Sequence, residues 1–167
     1  MLPKNGPAKP DRESGQALVE FAFVLMFVIL PIMFVLIDGA VTLYTQAALT
    51  NVAREGARSG AVFQATGVGG GSFASQVAAV DSARTTYIRQ EVQRMIGPLV
   101  SFPSCNTTIT YLPATPQLGN PFRQMDSLMV SLACPRRLFF GLIGTSQITL
   151  TAQSTMRIEP GGVAPSP

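Results

Sequence analysis

Residues 12–37 read RESGQALVEFAFVLMFVILPIMFVLI, a short charged stretch that ends in glycine and is followed by an almost unbroken apolar run. From Ala17 to Ile37, only Glu20 and Pro31 interrupt the apolar residues. At a rise of about 1.5 Å per residue, this run forms a helix of about 31 Å, close to a hydrocarbon core of roughly 30 Å. The stretch therefore predicts a transmembrane helix, which Pro31 should loosen locally by removing a backbone hydrogen bond.

A cleavable secretory signal is the alternative for such a segment, but its apolar region runs for only about 7 to 15 residues. The run here is longer, so we expect a retained single-pass anchor. Lys4, Lys9 and Arg12 precede it, and no basic residue follows until Arg54. By the positive-inside rule, we expect a cytoplasmic N-terminus and an extracytoplasmic C-terminal domain on an inner-membrane protein.

The carboxylate of Glu20 is the unusual group in the apolar run. A charge within a bilayer is costly and generally has a partner, so Glu20 is a candidate functional residue. If a peptidase cut between Gly15 and Gln16, the new α-amine of Gln16 would lie about one helical turn from Glu20. The other interpretation is that Glu20 lies at the level of the lipid headgroups, where a charge costs little.

Composition limits the possible functions of the chain. Its 167 residues, 47% of them hydrophobic, suit one membrane segment and one modest folded domain. The net charge of +3 is too small for a nucleic-acid footprint. With no histidine and only two thiols, we expect no metal site and no cofactor, and because no serine has a recognisable base nearby in sequence, we expect no enzyme activity. Cys105 and Cys134 would face an oxidising compartment, where a structural disulfide is expected.

The remaining pattern predicts an α+β fold with two helices. Apolar spacing of three and four continues the first helix beyond the membrane to about Gly60. A second, amphipathic helix is predicted over 73–96, with Arg84 placed off its apolar stripe. The predicted organisation is a cytoplasmic leader, a transmembrane and extended helix, an extracytoplasmic helix-plus-sheet domain and a disordered tail, over residues 1–15, 16–60, 61–159 and 160–167.

A small antiparallel sheet is predicted after the second helix. Its strands are expected over 107–112, 127–134 and 147–157, with period-two alternation clearest in the last. Residues 99–102 are expected to add a short edge strand at most, because Pro103 follows. The apolar residues 138–143 are interpreted as core or as a contact with a partner subunit.

Small side chains recur at four-residue spacing on the extension of the first helix, at Ala48, Val52, Gly56 and Gly60. Such a seam lets a neighbouring helix approach closely. The alternative for Gly60 is that it simply ends the helix, where glycine is favoured.

Two stretches resemble known protein families. The string GQALVEF, from Gly15 to Phe21, resembles the cleavage region of type IV prepilins. The stretch NVAREGARSGA, over 51–61, resembles the TadE-like proteins of tight adherence pilus systems, with Arg54, Glu55 and Arg58 in the motif. The resemblance implies a pilin-like fold in which Gly15 precedes the scissile bond and Glu20 is the assembly carboxylate.

The function implied by this resemblance is that of a minor pilin or pseudopilin in tight adherence pilus assembly. Its expected partners are a prepilin peptidase, other pilin subunits, the pilus assembly platform and the membrane. Incorporation into the extracellular filament stays open. The alternatives are a pseudopilin of a type II secretion machine and an unprocessed, membrane-anchored envelope binding protein.

Overall fold

The computed structural model describes residues 12–65, 70–97, 105–138 and 147–160, and they form the predicted α+β fold. A π-helical segment over Leu25–Ile29 separates the first two helices. The helices are α1 (Arg12–Val24), α2 (Leu30–Ala61) and α3 (Phe73–Ile96). The strands are β1 (Asn106–Leu112), β2 (Ser127–Arg137) and β3 (Gln147–Arg157), in the antiparallel order β1-β2-β3.

The first two helices and the π-helical segment form one long helix, and its 47 residues from Gly15 to Ala61 contain the segment long and apolar enough to cross a membrane. The backbone is already helical from Arg12, so the last residues of the predicted leader belong to α1. The widened turn ends two residues before Pro31, whose missing N–H removes a hydrogen bond to the preceding turn. The predicted local loosening therefore takes the form of a π-helical turn.

Helix α3, the amphipathic helix of the sequence analysis, has the bounds predicted from the sequence. It begins after Ser72, whose hydroxyl accepts a hydrogen bond from the backbone N–H of Ser75 at 3.3 Å. Such an N-cap satisfies one of the free donors of the first turn. The core lies between α2, α3 and one face of the sheet, and its fully buried residues include Leu49, Ile88 and Leu128.

The central strand is longer than predicted, since β2 continues past Cys134 and Pro135 to Arg137. Pairing with β1 ends where Ala133 lies opposite Asn106. Beyond that point β2 has a neighbour only on the β3 side, so it is an edge strand, where proline is tolerated.

A disulfide joins Cys105 to Cys134, with an S–S distance of 2.07 Å and a Cα–Cα distance of 4.3 Å. Cys105 directly precedes β1, and the antiparallel register places it opposite Cys134 on β2. The bond therefore ties the first strand to the centre of the sheet.

The sheet runs alongside the outer part of α2. The start of β2 lies far along the helix, because Leu128 faces Gly60. Its end lies back toward the membrane segment, because the Arg136 guanidinium donates a hydrogen bond to the hydroxyl of Thr42. The end of β2 and the start of β3 are therefore the membrane-proximal end of the sheet.

Four predictions fall wholly or mainly outside the described residues. These are the disordered leader before residue 12, the edge strand over 99–102, the apolar segment over 138–143 beyond Leu138, and the tail beyond Pro160.

Candidate subunit interface

The predicted processing site lies on the exposed surface of α1. Gly15, Gln16 and Glu20 are all exposed, and no heavy atom lies within 4 Å of the position that a Cβ would take at Gly15. The Gln16 side-chain amide donates a hydrogen bond to Oε1 of Glu20 at 3.1 Å. In the intact chain, the Glu20 carboxylate is therefore held by a neutral group one helical turn away.

The apolar surface beyond Glu20 is not covered by the rest of the chain. The most apolar 18 residues of the long helix have no buried member, and Phe21, Phe27 and Leu36 are each at least 60% exposed. In the described part of the chain, this is the helix long and apolar enough to cross a membrane. An uncovered surface of this size suits single-pass anchoring, since burial of apolar area is favourable only away from water.

At the end of α2 farther from the membrane segment, the small-residue seam faces the core of the protein. A Cβ at Gly56 would lie 2.8 Å from Cγ2 of Val92, and one at Gly60 would lie 2.6 Å from Cδ2 of Leu128. The neighbouring helix that these glycines admit is therefore α3 of the same chain. Val52 is also buried in this core.

The end of the seam nearer the membrane segment is not covered by the core. Ala48 lies in a groove of about 710 Å³ whose apolar lining faces outward. The groove lies on α2, with one residue contributed by α3, and is lined by Tyr44, Ala47, Ala48, Asn51, Val52, Arg54, Glu55 and Met95. We call it the α2 groove. Of the predicted seam, Ala48 is therefore the residue available to a second chain, because Val52 lines the groove but is only 4% exposed.

The charged residues of the family-like motif lie at or near the rim of the α2 groove. Arg54, Glu55 and Arg58 are all exposed. Arg58 Nη1 lies 3.8 Å from Glu55 Oε2, and both side chains are more than half exposed. An exposed ion pair of this kind contributes little to folding. These three side chains are therefore free to contact another molecule.

A buried polar cluster, which the sequence did not indicate, fixes the connection between β1 and β2. The Arg123 side chain is 5% exposed, and its Nε lies 2.9 Å from both carboxylate oxygens of Asp81 on α3. Its two terminal nitrogens donate to the carbonyls of Pro113 and Ala114, each at 2.9 Å. Arg123 thereby ties the connecting segment to α3.

Tyr111 and Arg84 complete this cluster. The guanidinium carbons of Arg123 and Arg84 lie 4.6 Å and 6.0 Å from the centre of the Tyr111 ring. Nη2 of Arg84 donates to the carbonyl of Phe122, whereas Nε and Nη1 have no hydrogen-bond partner. Burial lowers the pKa of the Arg84 guanidinium and raises the pKa of the Tyr111 hydroxyl.

The placement of Arg84 off the apolar stripe was wrong, because its side chain is 1% exposed. The sequence did contain the signal. Arg84 lies four residues after Val80 and four before Ile88, both of which are buried, so helical spacing places it on the same stripe. Its charge obscured this position in the pattern.

These surfaces present apolar and charged groups suited to contact with another molecule. Among the described residues, no group of three or more histidine, cysteine, aspartate or glutamate side chains could hold a metal ion. The long helix carries the exposed peptide bond between Gly15 and Gln16, the exposed carboxylate of Glu20 and the uncovered apolar surface. The α2 groove follows farther along the same helix.

The family model for TadE-like proteins matches residues 15–58. The match covers nearly all of the long helix, including Gly15, Glu20 and the charged motif, and it leaves α3 and the sheet outside. It confirms the TadE-like resemblance of this segment, which makes up 44 of the 167 residues. No curated protein and no solved structure matches the chain.

Proposed function

We propose that this chain, whose anchor region matches the TadE-like family, is a minor pilin or pseudopilin that a prepilin peptidase processes after Gly15. The mature protein acts in the assembly of a tight adherence pilus. The observation that carries the proposal is the long helix itself, which combines an uncovered apolar surface with one carboxylate, Glu20, near its start.

The processing step is supported by the openness of the site. Nothing in the described chain shields the bond between Gly15 and Gln16, and a Cβ added at Gly15 would have no atom within 4 Å beyond its chain neighbours and its own helix backbone. Substitution there is therefore expected to alter recognition by the peptidase without disturbing the fold. The site can be tested separately from folding.

The pairing step follows from the change of charge on cleavage. Before the cut, Glu20 accepts a hydrogen bond from the neutral amide of Gln16. After the cut, the α-amine of Gln16 supplies a positive charge that pairs with Glu20 of an adjacent subunit. In a low-dielectric helix bundle, a subunit without this partner leaves a buried charge unpaired, which is strongly unfavourable. The pair thus selects one register between neighbouring helices.

The α2 groove extends the same interface beyond the membrane. Its apolar lining continues along the helix that carries Glu20, and its rim bears Arg54 and Glu55. We assign it to contact with the helix of a neighbouring pilin subunit. Small residues at its floor, Ala47 and Ala48, permit a close approach of two helix backbones.

The experiment compares Glu20→Gln with Glu159→Gln in a host that carries the pilus system. Both variants remove one negative charge, but the exposed Glu159 lies at the far end of β3. We expect normal cleavage in both, and loss of piliation only in Glu20→Gln. Normal piliation with Glu20→Gln would exclude the pairing role, and a cleavage defect in that variant would place Glu20 in peptidase recognition instead.

A further inference from the structure

The membrane-proximal end of the sheet lies at the height of the lipid headgroups. Ile37 ends the apolar run, and Thr42 is five residues farther along α2, about 7 Å at helical rise. Arg136 is bonded to Thr42, and Arg137 follows it about 3.3 Å nearer the membrane. The headgroup layer extends roughly 5–7 Å beyond the hydrocarbon core. Arg137 therefore lies within this layer.

This end of the sheet is positively charged. Arg137 is exposed, whereas the Arg136 side chain is 4% exposed, with Nη1 on Thr42 and Nη2 without a hydrogen-bond partner. In the described residues, no ion pair involves the exposed guanidinium of Arg137. The acidic group nearest along α2 is Asp38, one turn before Thr42 and largely buried. The two positive charges of Arg136 and Arg137 exceed the one negative charge of Asp38, so this end of the sheet has a net positive charge.

We propose that the sheet end carrying Arg136 and Arg137 binds anionic phospholipid headgroups of the membrane that α1 and α2 enter. Arg137 makes the direct contact, because its guanidinium is exposed and presents a fork that matches phosphate oxygens. Arg136, fixed by Thr42, adds a second charge behind it. The folded domain then lies against the bilayer, with β2 and β3 rising from its surface.

The height and the charge point to the same occupant. The described part of the chain brings no acidic partner within ion-pair distance of the exposed Arg137, whereas the headgroup layer brings phosphates to its level. The contact is continuous with the membrane anchor. It rests on the anchor alone and not on cleavage or pilus assembly, so its failure would leave the proposed function untouched.

The test uses a single tryptophan, since the chain has none. Gln147→Trp places the fluorophore opposite Arg137, and Glu159→Trp places it beyond the far end of β3. Each full-length variant is put into nanodiscs that contain a headgroup-labelled quenching lipid, with phosphatidylcholine alone or with added phosphatidylglycerol. We expect quenching for Gln147→Trp that increases with phosphatidylglycerol, and little quenching for Glu159→Trp.

The charge requirement is tested in the Gln147→Trp background with Arg137→Gln and with Arg89→Gln. Both changes remove one exposed positive charge, but Arg89 lies on α3. We expect Arg137→Gln to lower the contact equilibrium constant about fivefold and Arg89→Gln to leave it unchanged. Equal quenching of the two tryptophan positions would overturn the proposal. So would quenching that depends on neither phosphatidylglycerol nor Arg137.

Discussion

The substitution Gly60→Ala tests whether the outer seam of α2 is closed by the chain itself. The added methyl group would meet Ile88 of α3 and come within 2.6 Å of Cδ2 of Leu128 on β2. Overpacking of a core costs about 1–3 kcal/mol, whereas alanine gains at most about 1 kcal/mol over glycine in a helix. Gly60 is next to the last residue of α2, so that gain is smaller. We expect a net loss of about 1–2 kcal/mol of stability.

The loss can be measured by amide hydrogen exchange on the full chain in detergent micelles. Val130 and Leu132 lie in the buried face of β2 and report on opening of the core. A loss of one or two kcal/mol increases the open population about 5–30-fold. Gly39→Ala is the matched control, since no atom lies within 4 Å of its added methyl group. Exchange at β2 should not change in that variant.

A second substitution checks the steric cause. Ile88→Val removes Cδ1, one of the atoms that the new methyl group would meet. The double variant should therefore be more stable than the sum of the two single effects predicts, by at least about 0.5 kcal/mol. If Gly60→Ala exchanges no faster than the parent protein, α3 does not close the seam and the packing account is refuted.

Other substitutions probe the soluble domain and the motif, each by chemical denaturation of the full chain. Asp81→Asn should destabilise the fold by about 1–3 kcal/mol, because the 5% exposed Arg123 loses the nearer of its two carboxylate partners and keeps only Asp126, at 3.6 Å; an unchanged midpoint would show that the pair with Asp81 is dispensable. Replacing Cys105 and Cys134 together by serine should lower stability by about 3–4 kcal/mol, given their separation of 29 residues, and equal stability would contradict this. Arg58→Ala should leave stability within about 0.5 kcal/mol but reduce piliation, whereas normal piliation would remove the motif from the interface.

The elements of this fold could be predicted from local signals. The bounds of α3 follow from apolar spacing and from a serine before its first turn, and those of β3 follow from period-two alternation. The end of β2 was not predicted, because Pro135 is a strand breaker in the centre of a sheet. Only the register shows that β1 has already ended there.

The candidate interface could be predicted only in part. Gly15 and Glu20 could be predicted as a processing and assembly site because such a motif consists of neighbours in sequence. The sequence alone could not show which seam residues are open and which are buried. Ala48 and Gly60 lie on the same helical spacing, but Ala48 lies in the α2 groove and Gly60 faces the core. The cluster around Arg123 joins residues from α3 and the segment before β2, and such long-range contacts leave no local pattern.

The central claim is most directly tested by the intact mass of the protein after expression with an active prepilin peptidase. The account predicts a chain that begins at Gln16, no cut in Gly15→Val, and a normal cut in the matched variant Gly39→Val. Both glycines have no atom within 4 Å of an added Cβ, so neither change should disturb the fold. Retention of residues 1–15 by the parent protein, while the same peptidase cleaves an authentic prepilin, would contradict the account.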